Sequence, residues 1–377
     1  MEDNLKKVFI RALTVFLLIF AISFPPAVNA SETAIDRIFS KKDISKKRIE
    51  SKAVFNEEYP ETLLYLINNA KESVLMAHYS FNTETKTAGK IADALIAASK
   101  RGVKVSILLN GGKSGVGPKN LATMKKLGKS GIKIDIAVGK RVLHAKLIVA
   151  DSLWTLAGST NLTETSMIKN NESNLLIHSA DIAATFEKYI EELHKNADQD
   201  INLKSNEGAG IKALTDRNFI DCALDLINGA SKEICITTYL FSYDIKNAGS
   251  NNAKLFAALI AAHKRGVGIR AFIEQSSIAF NEHIHSANMR TSETLMKEGI
   301  KGIRFDTPET ITHSKIIIAD GQKALLGSTN LYKHDIDSAH QVNFYITNAA
   351  LLDQIGAYFE KLYAKGVAYE QAWRKKQ

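Results

Sequence analysis

The residues best able to do chemistry form a set that occurs twice. His144, Lys146, Asp151, Gly158, Ser159 and Asn161 recur as His313, Lys315, Asp320, Gly327, Ser328 and Asn330 at identical offsets. Over the 20 residues from each His, 11 are identical. In both copies the His and Lys are two apart in an apolar, β-branched run. That spacing predicts a strand, with both side chains on one face. A buried Lys beside a His is costly unless something anionic pairs with it. Two such pairs point to a site for an anion. Two histidines can then divide nucleophilic and proton-transfer work.

The elements that must position this set are hairpins. Asp320-Gly321 is a strong two-residue turn signal and Asp151-Ser152 a weaker one. Counting back from a two-residue loop places Ser159 opposite His144 and Ser328 opposite His313. Gly158 and Gly327 would then allow close backbone approach to a ligand. Ser159, Asn161, Ser328 and Asn330 would supply hydrogen bonds to phosphate oxygens. An extended run of seven residues puts Asp151 roughly 20 Å from His144 at ~3.3 Å per residue. Asp151 and Asp320 are therefore read as turn or structural groups. The expected orienting carboxylate is Glu172, 28 residues past His144, where the second copy has Gln341. The two half-sites thus differ in charge. Glu172 is expected to hold His144, making His144 the nucleophile and His313 the acid.

The duplication extends well beyond the motif. Residues 93–103 match residues 257–267 without a gap, differing at two positions. Each copy alternates strand and helix patterns. An α/β protein is expected, with two duplicated α-β-α sandwich halves, mixed and largely buried sheets, and the active site at their interface. The first half is read as residues 54–194, a polar linker as 195–210, and the second half as 211–377. Tyr79 and Tyr239, at equivalent strand ends, fit either the cleft or the core. Asn110 and Glu274, also equivalent, stand where substrates bind in open α/β sheets.

The chain has 377 residues, 45% hydrophobic and 24% charged, which excludes disordered and fibrous classes. Residues 1–30 have the form of a secretory signal, with Lys6, Lys7 and Arg11 before an apolar run of residues 12–24 and small residues near Ala30. Periplasmic or secreted export is expected, with an uncleaved N-terminal membrane anchor as the alternative. Residues 31–53 read as a charged, loosely packed lead-in. The net charge is +9, and +8 without residues 1–30. This basic balance fits a phospholipid surface or nucleic acid, and also plain surface lysine. Cys222 and Cys235 are too few for a disulfide framework; buried thiols are expected, with one disulfide the alternative. His283 and His285 have no nearby third ligand, so a solvated loop is expected and no metal site.

The motif resembles the signature of the phospholipase D superfamily, H-x-K-x4-D-x6-G-S-x-N, which both copies fill completely. The resemblance implies phosphodiester cleavage without metal or other cofactor. One His attacks phosphorus to form a phosphohistidine, and the other protonates the leaving alcohol. The lysines and the Ser and Asn groups hold phosphoryl oxygens. It further implies a monomer with both half-sites in one chain. Fold and motif are shared by lipid and nucleic-acid enzymes. A phospholipid hydrolase is the first reading and a nuclease of the same superfamily the second. A cardiolipin-type phosphatidyl transferase ranks lower, because those usually carry membrane helices and Gly-Gly at 158–159 and 327–328.

Overall fold

The computed structural model describes residues 50–112, 115–204, 207–244, 246–275, 278–369 and 372. The expected signal and most of the lead-in lie outside the described residues. The first half runs β1 (Glu50–Phe55), α1 (Glu58–Asn69), β2 (Ser73–His78), α2 (Lys86–Lys100), β3 (Lys104–Asn110), α3 (Gly117–Gly128), β4 (Lys133–Ala137), β5 (Lys146–Ala150), β6 (Trp154–Gly158), α4 (Glu164–Ile168), β7 (Ser173–His178) and α5 (Ala180–Asn196). The second runs β8 (Glu207–Gly208), β9 (Ile211–Thr215), α6 (Asn218–Gly229), β10 (Glu233–Thr238), α7 (Asn251–Lys264), β11 (Gly268–Ile273), α8 (Ile278–Lys297), β12 (Gly302–Phe305), β13 (Ile316–Ala319), β14 (Lys323–Gly327), α9 (Lys333–Asp337), β15 (Val342–Ile346), α10 (Ala349–Lys365) and β16 (Val367–Ala368).

Each half builds one mixed sheet. The first has strand order β1-β7-β6-β5-β2-β3-β4, and the second β16-β12-β11-β10-β13-β14-β15-β9-β8. The parallel strands β2, β3 and β4 follow from the βα alternation, as do β10, β11 and β12. The motif hairpins β5–β6 and β13–β14 run antiparallel at the centre of their sheets. Period-two alternation sorts the side chains: Ile316 and Ile318 join one core cluster, Ile317 and Ala319 another. The first cluster joins both halves, with Leu147, Val149 and Phe186 packed in one body with Ile318, Phe344 and Phe359. Helices α5 and α10 are the inner layer, α5 touching β9 of the second half and α10 touching β1 of the first. Burial on both faces explains why β5 and β13 read as continuous apolar runs.

The structure corrects three expectations. Residues 50–53, assigned to a loose lead-in, belong to β1, which pairs with β7 along its whole length; Ala53 and Val54 bury their side chains in that sheet. The linker is shorter than 195–210, because α5 continues to Asn196 and β8 begins at Glu207. His283 and His285 lie on α8 rather than in a loop, and His285 is buried with Nδ1 against the Gln275 carbonyl at 2.8 Å. Cys235 is buried, Cys222 is partly buried, and both are free thiols. Among the described residues no helix is long and apolar enough to cross a membrane.

Candidate active site

The motif turns hold three loop residues, not two. Ala150 pairs with Trp154, and Ala319 with Lys323. Asp151 and Ser152 both take left-handed backbone (φ 53° and 50°), as do Asp320 and Gly321 (φ 54° and 66°), and Leu153 N donates back to Ala150 O at 3.1 Å. The added residue slips the register by one. Gly158 and Gly327 therefore fall opposite Lys146 and Lys315, and the serines no longer face the histidines. The glycines make room for protein, not ligand. A Cβ on Gly158 would collide with Ser173 O and Asn174, and one on Gly327 with Val342 O and Asn343.

The motif aspartates sit at these turns. Asp151 accepts backbone N–H groups from Lys71, Glu72 and Ser73 at 2.8–3.0 Å. Asp320 does the same for Ser231, Lys232 and Glu233 at 2.8–2.9 Å. Each thus ties the hairpin to the start of the strand that pairs antiparallel with it, β2 or β10. Burial works against the Asp320 charge, but these N–H donors outweigh it and hold its carboxyl down at about 2.

The histidines meet across the boundary between halves. His144 N donates to His340 O, and His340 N to Val142 O; in mirror fashion, Asn171 N donates to Ile311 O and His313 N to Asn171 O. Each histidine's backbone is thus docked on the residue just before the other half's Glu172 or Gln341. The orienting pairs cross accordingly. His313 Nδ1 donates to Glu172 Oε2 at 3.0 Å, and His144 Nδ1 to Gln341 Oε1 at 3.1 Å. This corrects the expectation that Glu172 holds His144. The partner of each ring is set by how the halves dock, which no spacing within one copy encodes.

Ser159 and Ser328 are corrected as phosphate ligands. Ser159 donates its single hydroxyl proton to Glu172 Oε2 at 2.5 Å and accepts from Ser173 N at 2.9 Å. Ser328 is bound likewise to Gln341 Oε1 at 2.6 Å and Val342 N at 3.0 Å. Both are fully buried and orient the residues that orient the rings. Asn161 Oδ1 and Asn330 Oδ1 are buried without partners, but a phosphoryl oxygen can be met only by the Nδ2 donors, and Asn330 Nδ2 already gives one proton to Asp335 Oδ2 at 2.6 Å. Asn110 and Glu274 serve the backbone instead. They accept from the N–H groups of Leu143 and Thr312, the residues preceding the histidines.

Lys146 and Lys315 are buried, and each folds its ammonium onto the carbonyl of its own His. Tyr79 lies edge-on to His144 with ring centroids 4.9 Å apart, and Tyr239 to His313 at 5.0 Å. The lysine ammoniums lie 4.9 and 5.4 Å from those tyrosine ring centres. Both tyrosines are partly buried, and Tyr239 also packs on the cluster of Leu240, Ile284 and Ala287. Burial and the Lys315 charge push Lys146 well below its ordinary value. Burial pushes Lys315 down to about 7, against the pull of Glu172, Asp335 and Glu274. Burial and Lys146 carry His144 down to about 3, so its ring is neutral. Burial lowers His313 too, but Glu172 works against that shift. For Glu172, burial opposes ionisation while His313, Lys315 and the Ser159 hydroxyl outweigh it, so its carboxyl stays below the usual range.

Two groups lie outside the motif. Asp335 on α9 has Oδ2 3.6 Å from His144 Nδ1. Its signal was available: it stands 22 residues past His313, where the first copy has Ser166. His78 is buried as the cross-strand partner of Lys146, and burial with the Lys146 charge takes it to about 3. Among the described residues, no cluster of three or more His, Cys, Asp or Glu could hold a metal ion.

Two buried His–Lys pairs, one from each half, thus meet on a duplicated α/β frame. The family model for "Cardiolipin synthase, PLD-like domain" matches residues 63–194 and 223–363. The chain therefore belongs to the phospholipase D superfamily, with one such domain in each half, and shares its phosphodiesterase-type enzyme class. It is 24% identical over 354 residues to phospholipase D Z of Dictyostelium discoideum, covering 78% of this chain and 82% of that one. It is 22% identical over 316 residues to cardiolipin synthase A of Proteus mirabilis, covering 74% and 61%. The phosphatidylserine synthase of Haemophilus influenzae shares the fold, with a TM-score of 0.67, 14% identity and coverage of 92% and 93%.

Proposed function

We propose that the protein is an exported phosphodiesterase of phospholipase D type, hydrolysing the head-group phosphodiester of a phospholipid through a phosphohistidine. The observation that carries the reading is the pair of buried lysines, each beside a histidine whose Nδ1 is held and whose Nε2 is left for chemistry. Buried cations folded onto neutral carbonyls fit a site completed by a phosphodiester anion. The lipid reading is supported by the likeness to phospholipase D Z along most of both chains. Export rests on the signal-like residues 1–30.

The crossed pairing keeps the assignment of roles but replaces its reason. A general acid must hold a proton at the start, and a carboxylate at 3.0 Å favours the protonated His313. A nucleophile must be neutral, and burial with the Lys146 charge keeps His144 so, against the pull of Asp335, while Gln341 Oε1 holds its Nδ1. His144 Nε2 attacks phosphorus, the bond to the leaving oxygen breaks, and His313 Nε2–H gives that oxygen its proton. Neutral His313 then takes a proton from water, whose oxygen attacks phosphorus and breaks the P–N bond. His144 is regenerated neutral and His313 protonated. Lys146, Lys315, Asn161 and Asn330 hold the non-bridging oxygens.

The test offers purified protein phosphatidylcholine, cardiolipin and single-stranded DNA with EDTA present. Release of head group with phosphatidate is the expected result. Cleavage of DNA alone would instead establish the nuclease reading, which the net charge of +9 fits as well as it fits a phospholipid surface. Formation of a new phosphatidyl alcohol without hydrolysis would make it a transferase.

A further inference from the structure

The two half-sites share their motif residues but carry the negative charge behind the histidines in different places. In the first, Glu172 Oε2 accepts from Ser159 Oγ at 2.5 Å and from His313 Nδ1 at 3.0 Å. In the second, Gln341 Oε1 accepts from Ser328 Oγ at 2.6 Å and from His144 Nδ1 at 3.1 Å. Six residues before Glu172 stands Ser166, whose hydroxyl accepts from Asn161 N at 2.9 Å and donates to Glu172 Oε1. Six residues before Gln341 stands Asp335, whose Oδ2 accepts from Asn330 N at 3.3 Å and from Asn330 Nδ2 at 2.6 Å. The donor and acceptor capacities at these two positions are exchanged, although no hydrogen bond joins Gln341 to Asp335. Ser166 donates and Glu172 accepts; Asp335 can only accept, and Gln341 brings a buried Nε2 with no partner.

We infer that Asp335 is the carboxylate that serves His144, and that Ser166 with Glu172 and Asp335 with Gln341 are two interchangeable ways of placing one negative charge behind each histidine. The inference rests on the two-histidine chemistry proposed above. The Asp335 side chain is 8% exposed and lies 3.6 Å from the ring nitrogen that Gln341 already holds. It therefore acts on His144 through space, as a positioning residue. A ring that bonds phosphorus through Nε2 becomes cationic, and a fixed anion behind it favours that state. The other charges facing His144 are Lys146, Lys315 and His313, all of which oppose it. Asp335 acts in its favour, so the charge lost at position 341 is restored from α9. Burial disfavours the Asp335 charge, but His144, the His334 and Asn330 hydrogen bonds and Lys146 together hold its carboxyl well below the usual range.

The test uses the full chain, with inorganic vanadate as probe, because vanadate bonds an active histidine whatever the substrate. D335N keeps an oxygen for the Asn330 N–H and removes the charge. D335N/Q341E rebuilds the donor and acceptor order of the first half. Vanadate affinity and phosphodiester turnover in D335N are expected to fall on the order of 10-fold or more, the effect of one lost charge contact worth one pKa unit. The double variant is expected to recover most of both, with thermal midpoints similar throughout. Full affinity in D335N, or no recovery in a folded D335N/Q341E, would overturn the inference. A parent protein that neither binds vanadate nor cleaves phosphodiesters would overturn the proposed function instead.

Discussion

Glu172 Oε2 and His313 Nδ1 stand 3.0 Å apart although they belong to opposite halves of the chain. The carboxylate raises the proton affinity of the ring against the effect of burial. E172Q removes that support and lowers the His313 pKa. The protonated acid is then lost at lower pH, so the basic limb of the pH–rate profile is expected to move towards acid. Turnover should fall about 100-fold, the lower scale of a general acid's contribution. A profile that keeps its basic limb in place would separate Glu172 from the acid.

The division of labour between the rings predicts a dependence on leaving group. H313A is expected to lose about 10²–10⁴-fold with an alkyl phosphodiester. With a nitrophenyl ester, which leaves without a proton, the first-turnover burst should be largely kept, while later turnovers stay slow because His313 also activates the water. H144A should be inactive on both. Acid-labile phosphate trapped on His144 in H313A, located by peptide mass spectrometry, is the expected intermediate; label on His313 would reverse the roles.

Lys315 should leave a mark on stability. Its folded value lies near 7 and its unfolded value near 10.5. Between those values the unfolded chain binds more protons than the folded one, so this residue's contribution to stability rises with pH across the window. Below about pH 7 its full penalty is present. The thermal midpoint of the wild type relative to K315M is therefore expected to climb between about pH 7 and 10 in the absence of phosphate. A flat difference would mean that Lys315 is not desolvated.

Gly158 is expected to tolerate nothing larger. G158A drives a methyl into Ser173 O and Asn174 and should cost about 1–3 kcal/mol, read by urea unfolding. Gly229, at the end of α6, has open space around its missing Cβ. G229A should be neutral or slightly stabilising, by up to about 1 kcal/mol.

Asp151 should matter to folding and not to chemistry. D151A strips the acceptor from the N–H groups of Lys71, Glu72 and Ser73, at a cost of about 1–2 kcal/mol. Its kcat/KM at a temperature where the variant is folded should match the parent's. A large loss of turnover would place Asp151 in the chemistry after all.

Much of the site was legible because its spacing is short. His144 and Lys146 do share a neighbour, Tyr79, although β5 begins only at Lys146 and β13 at Ile316, so the histidines precede the strands expected to hold them; the Asp–x dipeptides mark the turns in both copies. What failed depended on one residue or on the other half. A single added loop residue slipped the register and moved Ser159 and Ser328 from the ligand to the orienting groups. Equivalent positions in the repeat pick out Glu172 and Gln341, but which ring each holds follows from the docking of Asn171 on Ile311 and His313 and of His340 on His144. Asp335 escaped because it lies outside the signature. Six residues before Glu172 and Gln341, Ser166 stands against Asp335, and there the charge has moved.

The ring of His144 finds its partner 197 residues further along the chain, and that of His313 its partner 141 residues back. During synthesis, therefore, the first motif is complete in sequence long before it is complete in geometry. A polypeptide truncated before Gln341 carries every residue of the first motif, yet nothing aligns His144. The Nδ1 contact of His144 can form only once Gln341, which immediately precedes β15, has been made and folded. The alignment of the first half's histidine is thus written in the second half of the chain.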